Sequence, residues 1–82
     1  MLSTSMLKYP LSNKDYLELW EAQDYKCAVC GDILGHGEAF IDHDHKTNLV
    51  RGVLCRMCNI GIGWFKDDPK RLRLAAEYLE NT

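Results

Sequence analysis

The sequence predicts a small α+β domain in which a zinc-stabilised β-hairpin is flanked by an N-terminal and a C-terminal helix. With 82 residues the chain is long enough for one domain with a small core. Cys27-x-x-Cys30 and Cys55-x-x-Cys58 have the spacing of paired zinc knuckles. Between the knuckles, two short apolar runs separated by a polar turn indicate a hairpin.

The N-terminal part predicts an extended lead-in followed by a helix. Residues 1–10 show no periodicity and end at Pro10, so we expect them to be extended and to fray. Ser12 fits a helix N-cap, with Asp15 three residues later, and the helical segment is predicted over residues 11–24. Its apolar positions at helical spacing, expected in the core, are Tyr16, Leu19 and Trp20.

Residues 25–66 are predicted to form the zinc-stabilised hairpin core. The first knuckle is followed by a glycine-containing loop, where we expect His36 to be a surface residue. One strand is predicted from Ala39 to about His45 and its partner from Leu49 to Leu54, joined by residues 46–48. A short helix is expected to start at or just after the second knuckle, because apolar residues recur at helical spacing from Asn59 onward.

Residues 67–82 predict a C-terminal helix. Asp67 or Asp68 can cap it, Pro69 suits its first position, and we expect it to end near Glu80. Together with the first helix, the second half of the chain is expected to build the core. The positions assigned there are Trp64, Phe65, Leu72, Ala75, Ala76 and Leu79.

Charge and composition limit the environment and partners of the protein. The formal net charge is -2, but the basic residues are concentrated in the half of the chain that begins beside the hairpin. Those able to reach phosphates, or equally to form an ordinary solvated surface, are Lys46, Arg51, Arg56, Lys66, Lys70, Arg71 and Arg73. The N-terminus lacks the pattern of an export signal, which favours zinc over disulfides, and no apolar run has membrane-spanning length. We therefore expect a cytoplasmic protein.

Acids and histidines are concentrated between the knuckles, at Asp42, His43, Asp44 and His45. Four thiolates would complete a structural zinc site, so catalysis would need a second ion. Asp42 and Asn59 offer the hard oxygen ligands that suit Mg²⁺ or Mn²⁺. A calcium loop starting at Asp42 is excluded, because Thr47 and Val53 stand where glycine and glutamate are required. A satisfied polar network or a second structural metal site remains an alternative.

Several motifs in order resemble the phage recombination endonuclease VII family. They are Cys27-x-x-Cys30, IDHDH at 41–45, VRGVLCRMCNIGIGWF at 50–65, and the following DDP with LRLAAEYL, which together cover residues 25–79. The resemblance implies a ββα-metal fold of the HNH type, treble-clef-like, with structural zinc and DNA as the substrate. It implies that His43 is the general base, that Asp42 and Asn59 hold the catalytic ion, and that His45 lies near the phosphate or the metal. Asp44 is left as a supporting residue.

Two further expectations accompany this resemblance. A regular strand would place Asp42 and His43 on opposite faces, so a bend or bulge must bring them to one ion. The larger junction-resolving members continue into further dimerising helices, whereas this sequence stops at Thr82. We therefore expect a monomeric nickase or structure-selective nuclease. The alternative is a non-catalytic zinc module that binds nucleic acid or protein.

Overall fold

The computed structural model describes residues 7–35 and 37–82, and the predicted α+β class is confirmed there. Residues 1–6 and the predicted surface residue His36 lie outside the described residues. A two-stranded antiparallel sheet is formed by β1 and β2. The elements in chain order are α1 (Asn13–Ala22), β1 (Phe40–His43), β2 (Val50–Leu54), α2 (Arg56–Trp64) and α3 (Pro69–Glu80).

The end of the lead-in is paired with the hairpin. Val50 N–H donates to the carbonyl of Leu7 at 2.8 Å, and Tyr9 N–H donates to the carbonyl of Asn48 at 2.9 Å. The Asn48 side chain returns a hydrogen bond to the Tyr9 carbonyl at 2.7 Å. The expectation of fraying is therefore wrong for residues 7–9, because β2 and the turn before it offer unpaired backbone groups that this segment satisfies.

The hairpin contains an irregularity between Asp42 and His43. Asp42 is opposite Gly52, but His43 is opposite Val50, so Arg51 is an extra residue on β2. A bulge of this kind bends the strand and re-aims its side chains. A register irregularity is therefore present beside Asp42 and His43, with its extra residue on β2; that these two side chains reach one ion stays a prediction.

β1 ends at His43, so the prediction that this strand continues to His45 is wrong. Asp44 causes the early end, because its Oδ1 accepts hydrogen bonds from the N–H groups of Lys46 at 2.7 Å and Thr47 at 3.1 Å. Asn48 then adopts a positive φ of 65°, which asparagine tolerates well. The acid after the strand thus closes the turn, as Asx residues commonly do.

α2 begins at Arg56, within the second knuckle, which agrees with the predicted start at or just after the knuckle. Its N-cap is Cys55, whose Sγ accepts a hydrogen bond from Cys58 N–H at 3.4 Å. The sequence pattern missed this because cysteine is not among the usual capping residues. The second knuckle is consequently the first turn of α2. The predicted caps of the other helices are confirmed, with Ser12 before α1 and Asp68 before α3.

Gln23, at the end of α1, links that helix to the hairpin by side-chain hydrogen bonds. Its side-chain amide donates to the Val53 carbonyl at 2.9 Å and to the Lys26 carbonyl at 2.8 Å, while its oxygen accepts from Val53 N–H at 2.9 Å. Gly52 makes room for this contact, since a Cβ there would lie 3.1 Å from the Gln23 oxygen. The glutamine side chain therefore takes the place of a neighbouring strand.

The core lies between α1, the first knuckle and β2. Its buried members among the described residues are Leu19, Cys27, Leu34, Val50, Val53 and Leu54, with Tyr16 and Trp20 packed against them. The predicted contribution of α2 and α3 to the buried core is wrong, since neither helix has a buried residue. Leu72 and Ala75 are half-buried, whereas Phe65 and Ala76 are exposed, as are Trp64 and Leu79 at 82% and 69%. A helical apolar pattern does not specify which partner covers it.

Candidate active site

The four cysteines converge at the end of the hairpin. Their Sγ atoms all lie within 4.8 Å of one another, and those of Cys30 and Cys55 are 3.9 Å apart. Tetrahedral zinc with Zn–S bonds of about 2.3 Å would place its sulfurs roughly 3.8 Å apart. All four are free thiols, so the disulfide alternative has no support. The cluster could hold a structural metal such as zinc.

The thiol pKa values explain why a cation suits this cluster. Burial alone would raise the pKa of Cys27, but the surrounding backbone N–H groups of Cys55, Cys30 and Val29 outweigh it and lower the pKa to about 6. Burial raises the pKa of Cys58 to about 12, and its thiol neighbours add to the rise. Without a metal, one thiolate therefore opposes the ionisation of a neighbour, and a divalent cation removes that conflict.

Asp42 forms a bidentate ion pair with Arg51, the extra residue of the bulge. Arg51 Nε lies 2.7 Å from Oδ2 of Asp42, and its Nη2 lies 2.9 Å from Oδ1. The same Nη2 reaches Oδ2 of Asp67, at the turn before α3, at 3.2 Å. The hydrogen bond to Asp42 raises the pKa of Arg51 further above its ordinary value, so the guanidinium stays charged.

His43 belongs to a cluster of three rings. The Tyr9 ring stacks on it with centroids 4.2 Å apart and planes at 8°, and the His45 ring meets it edge-on at 4.7 Å. Neither histidine side chain hydrogen-bonds to another described residue. The stacking covers a ring face of His43, whereas the ring nitrogens lie in the ring edge.

The carboxylate of Asp44 is hydrogen-bonded within the turn that follows β1. The hydrogen bonds from the backbone N–H groups of Lys46 and Thr47 lower its pKa, because they stabilise the carboxylate form. This agrees with the supporting role expected of Asp44.

Asn59, in the first turns of α2, lines a cleft of about 420 Å³ beside β1. The cleft also contains Tyr9, Tyr16 and Ile41. The Asn59 side chain is half-buried and makes no hydrogen bond with another described residue. Tyr9 is shared between the cleft that Asn59 lines and the ring cluster that contains His43.

The predicted site residues thus fall into three neighbouring groups. His43 and His45 touch each other, Asp42 is held by Arg51, and Asn59 faces its own cleft. Among the described residues, no hydrogen bond joins Asn59 to Asp42. Sequence reasoning missed Tyr9 and the Arg51 pairing; the second had a signal, since opposite charges on adjacent strands of a hairpin often pair.

A second cleft of about 390 Å³ lies between the 44–47 turn and the end of α2. Its basic side chains are Lys46, Arg51 and Lys66, with His45 at its border. Of the other predicted phosphate contacts, Arg71 has its Nε 3.5 Å from Oδ2 of Asp68, the N-cap of α3. The cleft therefore gathers basic groups that are dispersed in the sequence, together with the carboxylates of Asp44 and Asp67.

The family model for recombination endonuclease VII matches residues 3–81. The chain belongs to the recombination endonuclease VII family. Two phage proteins, both called gene 59 protein, are similar to this chain. The one from Mycobacterium phage L5 is 39% identical over 75 residues, covering 89% of this chain and 46% of the relative. The one from Mycobacterium phage D29 is 40% identical over 73 residues, covering 87% and 44%. The chain thus spans about half the length of these relatives.

The fold is also similar to a solved nuclease. The crystal structure of the ββα-Me type II restriction endonuclease Hpy99I matches with a TM-score of 0.61 and 32% identity, covering 90% of this chain and 44% of that one. The predicted zinc-stabilised ββα-metal nuclease fold is confirmed by this likeness together with the cysteine cluster. Along residues 7–35 and 37–82, none of the helices has the length and apolar character needed to cross a bilayer.

Proposed function

We propose that the protein is a divalent-metal-dependent DNA endonuclease that hydrolyses phosphodiester bonds by general-base activation of water. Membership of the recombination endonuclease VII family and the likeness to a restriction endonuclease support this assignment. The observation that carries it is the bulge between Asp42 and His43. The extra residue lies on β2, so the bulge bends the hairpin and places Arg51 against Asp42 at the end of β1, where the proposed base His43 also stands.

His43 is the proposed base. Its side chain has no described hydrogen-bond partner, so a ring nitrogen is available to take the proton of an attacking water. The Tyr9 ring fixes the plane of the imidazole, which limits the directions in which that nitrogen can point. His45, in contact with His43, is proposed to lie near the scissile phosphate.

Asp42 and Asn59 are the proposed ligands of the catalytic Mg²⁺ or Mn²⁺. The donor set fits a hard cation, because it consists of a carboxylate and an amide oxygen, and the amide is not engaged by other described residues. An ion bound there would stabilise the negative charge that develops on the phosphate and the leaving oxygen. The four cysteines are proposed to hold zinc in a purely structural role, since they leave no open coordination position.

A second candidate is a non-catalytic zinc module that binds nucleic acid or protein. The ion pair between Asp42 and Arg51 favours it, because a carboxylate satisfied in this way also occurs in purely structural networks. This candidate predicts DNA binding without cleavage.

The strand specificity and the oligomeric state are part of the proposal. One active site per chain favours cutting one strand at a time, because coordinated double cuts need two sites related by symmetry. The sequence predicts Leu79 in the core, but it is exposed at 69%, and Leu74 and Tyr78 beside it are exposed at 55% and 71%, so α3 keeps apolar surface outside the core.

Incubation with supercoiled plasmid tests the proposal directly. With Mg²⁺ or Mn²⁺ we expect open circles to accumulate before linear DNA, and with EDTA we expect no product. The His43→Ala variant, checked for zinc content and circular dichroism, is the matched control for contaminating nuclease. Binding without cleavage in either ion would support the non-catalytic module. Linear product formed directly at low protein concentration, together with a dimer in sedimentation, would contradict the nickase.

A further inference from the structure

The proposed metal ligand Asp42 is already paired with a positively charged side chain, the guanidinium of Arg51. Both of its carboxylate oxygens accept from the Arg51 guanidinium, at 2.7 and 2.9 Å, and its side chain is only 12% exposed. Bidentate pairs of this kind are among the stronger hydrogen-bonded contacts in proteins. Little of the carboxylate surface therefore remains for a second cation.

Arg51 also has a second acceptor within reach. Its Nη2 contacts Asp67 at 3.2 Å, and Asp67 sits in a turn where it and Lys66 both have positive φ, 56° and 59°. Two successive left-handed residues other than glycine are uncommon, and their backbone course places Asp67 against the hairpin. The guanidinium can therefore lose its hydrogen bonds to Asp42 and still pair with Asp67 in the cleft that Arg51 and Asp67 both line.

We infer that Arg51 and the divalent cation compete for Asp42, so that Arg51 acts as a built-in counter-charge that the ion must displace. This inference rests on the proposed function, since it takes Asp42 as an ion ligand. A divalent ion bound to an Asp42 oxygen at about 2.1 Å would stand close to a guanidinium that uses the same oxygens, and like charges at that distance repel.

The displaced guanidinium has a defined destination. Asp67 retains it at the border of the cleft that also contains Lys46 and Lys66, where a DNA phosphate is the complementary ligand. Binding of the divalent ion and binding of DNA then strengthen each other, because the phosphate pairs with Arg51 while the ion pairs with Asp42. In the absence of DNA, the competition lowers the affinity of the site for the ion.

Mn²⁺ binding to the zinc-loaded full chain without DNA tests this, measured by the electron paramagnetic resonance of free Mn²⁺. We expect Arg51→Ala to bind Mn²⁺ roughly three- to tenfold more tightly than the wild type, a range that allows for the partial exposure of the pair. Its cleavage rate at saturating Mn²⁺ should nevertheless fall, since the phosphate contact is lost. Arg51→Gln serves as a second variant that keeps a polar side chain.

Lys46→Ala is the matched control, because it removes one positive charge from the same cleft without touching Asp42. It should leave Mn²⁺ affinity within about twofold of the wild type, since an exposed charge interacts weakly through water. Equal tightening in Lys46→Ala and Arg51→Ala, or no tightening in Arg51→Ala and Arg51→Gln, would overturn the competition. The Asp42→Asn variant tests separately whether Asp42 is an ion ligand. Loss of Mn²⁺ binding in this variant would support the proposed ion site whatever the result for Arg51, whereas unchanged binding would refute the ion site itself.

Discussion

The ring of Tyr9 lies flat on the imidazole of His43, with centroids 4.2 Å apart and an angle of 8° between the planes. Tyr9 reaches this position because its backbone is bonded to Asn48 in both directions. The segment before α1 therefore helps to position the proposed base, although it lies more than thirty residues away in sequence.

Removing the Tyr9 ring should impair cleavage by releasing His43. We expect Tyr9→Ala to lower the initial nicking rate about tenfold, in line with the 0.5–1.5 kcal/mol typical of aromatic pairs. Tyr9→Phe keeps the stacking and should remain within about twofold of the wild type. If Tyr9→Phe is as impaired as Tyr9→Ala, the hydroxyl and not the ring is what matters. Mn²⁺ binding should be unchanged in both variants.

His43→Ala should reduce cleavage by about 10²- to 10⁴-fold, because the proton acceptor is removed. Zinc content and thermal stability should stay near those of the wild type, since His43 is outside the buried core. His45→Ala should have the smaller effect, because it touches His43 without being the proposed base. Single-turnover nicking rates compare the two, and the reverse ranking would assign the base to His45.

Loss of either proposed ion ligand should raise the metal requirement of cleavage. Asp42→Ala should cost more activity than Asn59→Ala, because a carboxylate attracts a divalent ion more strongly than an amide. Titration of Mn²⁺ should partly restore the Asn59→Ala variant. Glu77→Gln, a neutralised exposed acid on α3, controls for the change in net charge. Wild-type rates for both ligand variants in ordinary Mg²⁺ would remove these residues from the site.

Removal of zinc should unfold the chain. The described core contains only six buried residues, so the free energy of metal binding makes up a large part of the stability. Cys30→Ser tests this cleanly, because Cys30 is exposed and its side chain adds little to the core. We expect it to lose zinc and its cooperative melting transition, whereas Val29→Ala, at an exposed neighbour, should keep both. A folded, metal-free wild type would contradict the prediction.

Gln23→Ala should destabilise the fold by about 2 kcal/mol, because the N–H of fully buried Val53 loses its acceptor. For a domain of this size that corresponds to a fall in Tm of roughly 10 °C. Glu21→Ala, at an exposed position of the same helix, should change Tm by only about 1–2 °C. Similar melting curves for the two variants would show that the glutamine bonds contribute little.

Local chemistry was readable from the sequence wherever a residue type has one dominant structural use. The cysteine spacing, the Ser12 cap and the Asp68-Pro69 start of α3 are of this kind, and each is confirmed. The sequence also required a bend between Asp42 and His43, since strand alternation alone would separate them. Its position depended on Arg51 being the extra residue, which only the pairing of the strands reveals.

The sequence misled where one pattern fits several environments. Leu79 and Trp64 have helical spacing, but spacing states which residues share a face and not whether anything covers it. Cys55 could not be recognised as a helix cap, because its capping atom is a sulfur. Tyr9 carried no signal, since its contact with His43 depends on the pairing of residues far apart in the chain.

The extra residue on β2 also dictates how relatives should be aligned with this chain. Between Asp42 and Cys55, residue count matters more than residue similarity: a relative one residue shorter at the Arg51 position would have a continuous ladder and would lack the guanidinium that pairs with Asp42. A gap placed in the 45–49 turn instead leaves the bulge intact. Deleting Arg51 should therefore change the register of β2 and remove the partner of Asp42, whereas shortening the 45–49 turn would also remove the contacts of Asp44 and Asn48 that hold the turn and Tyr9.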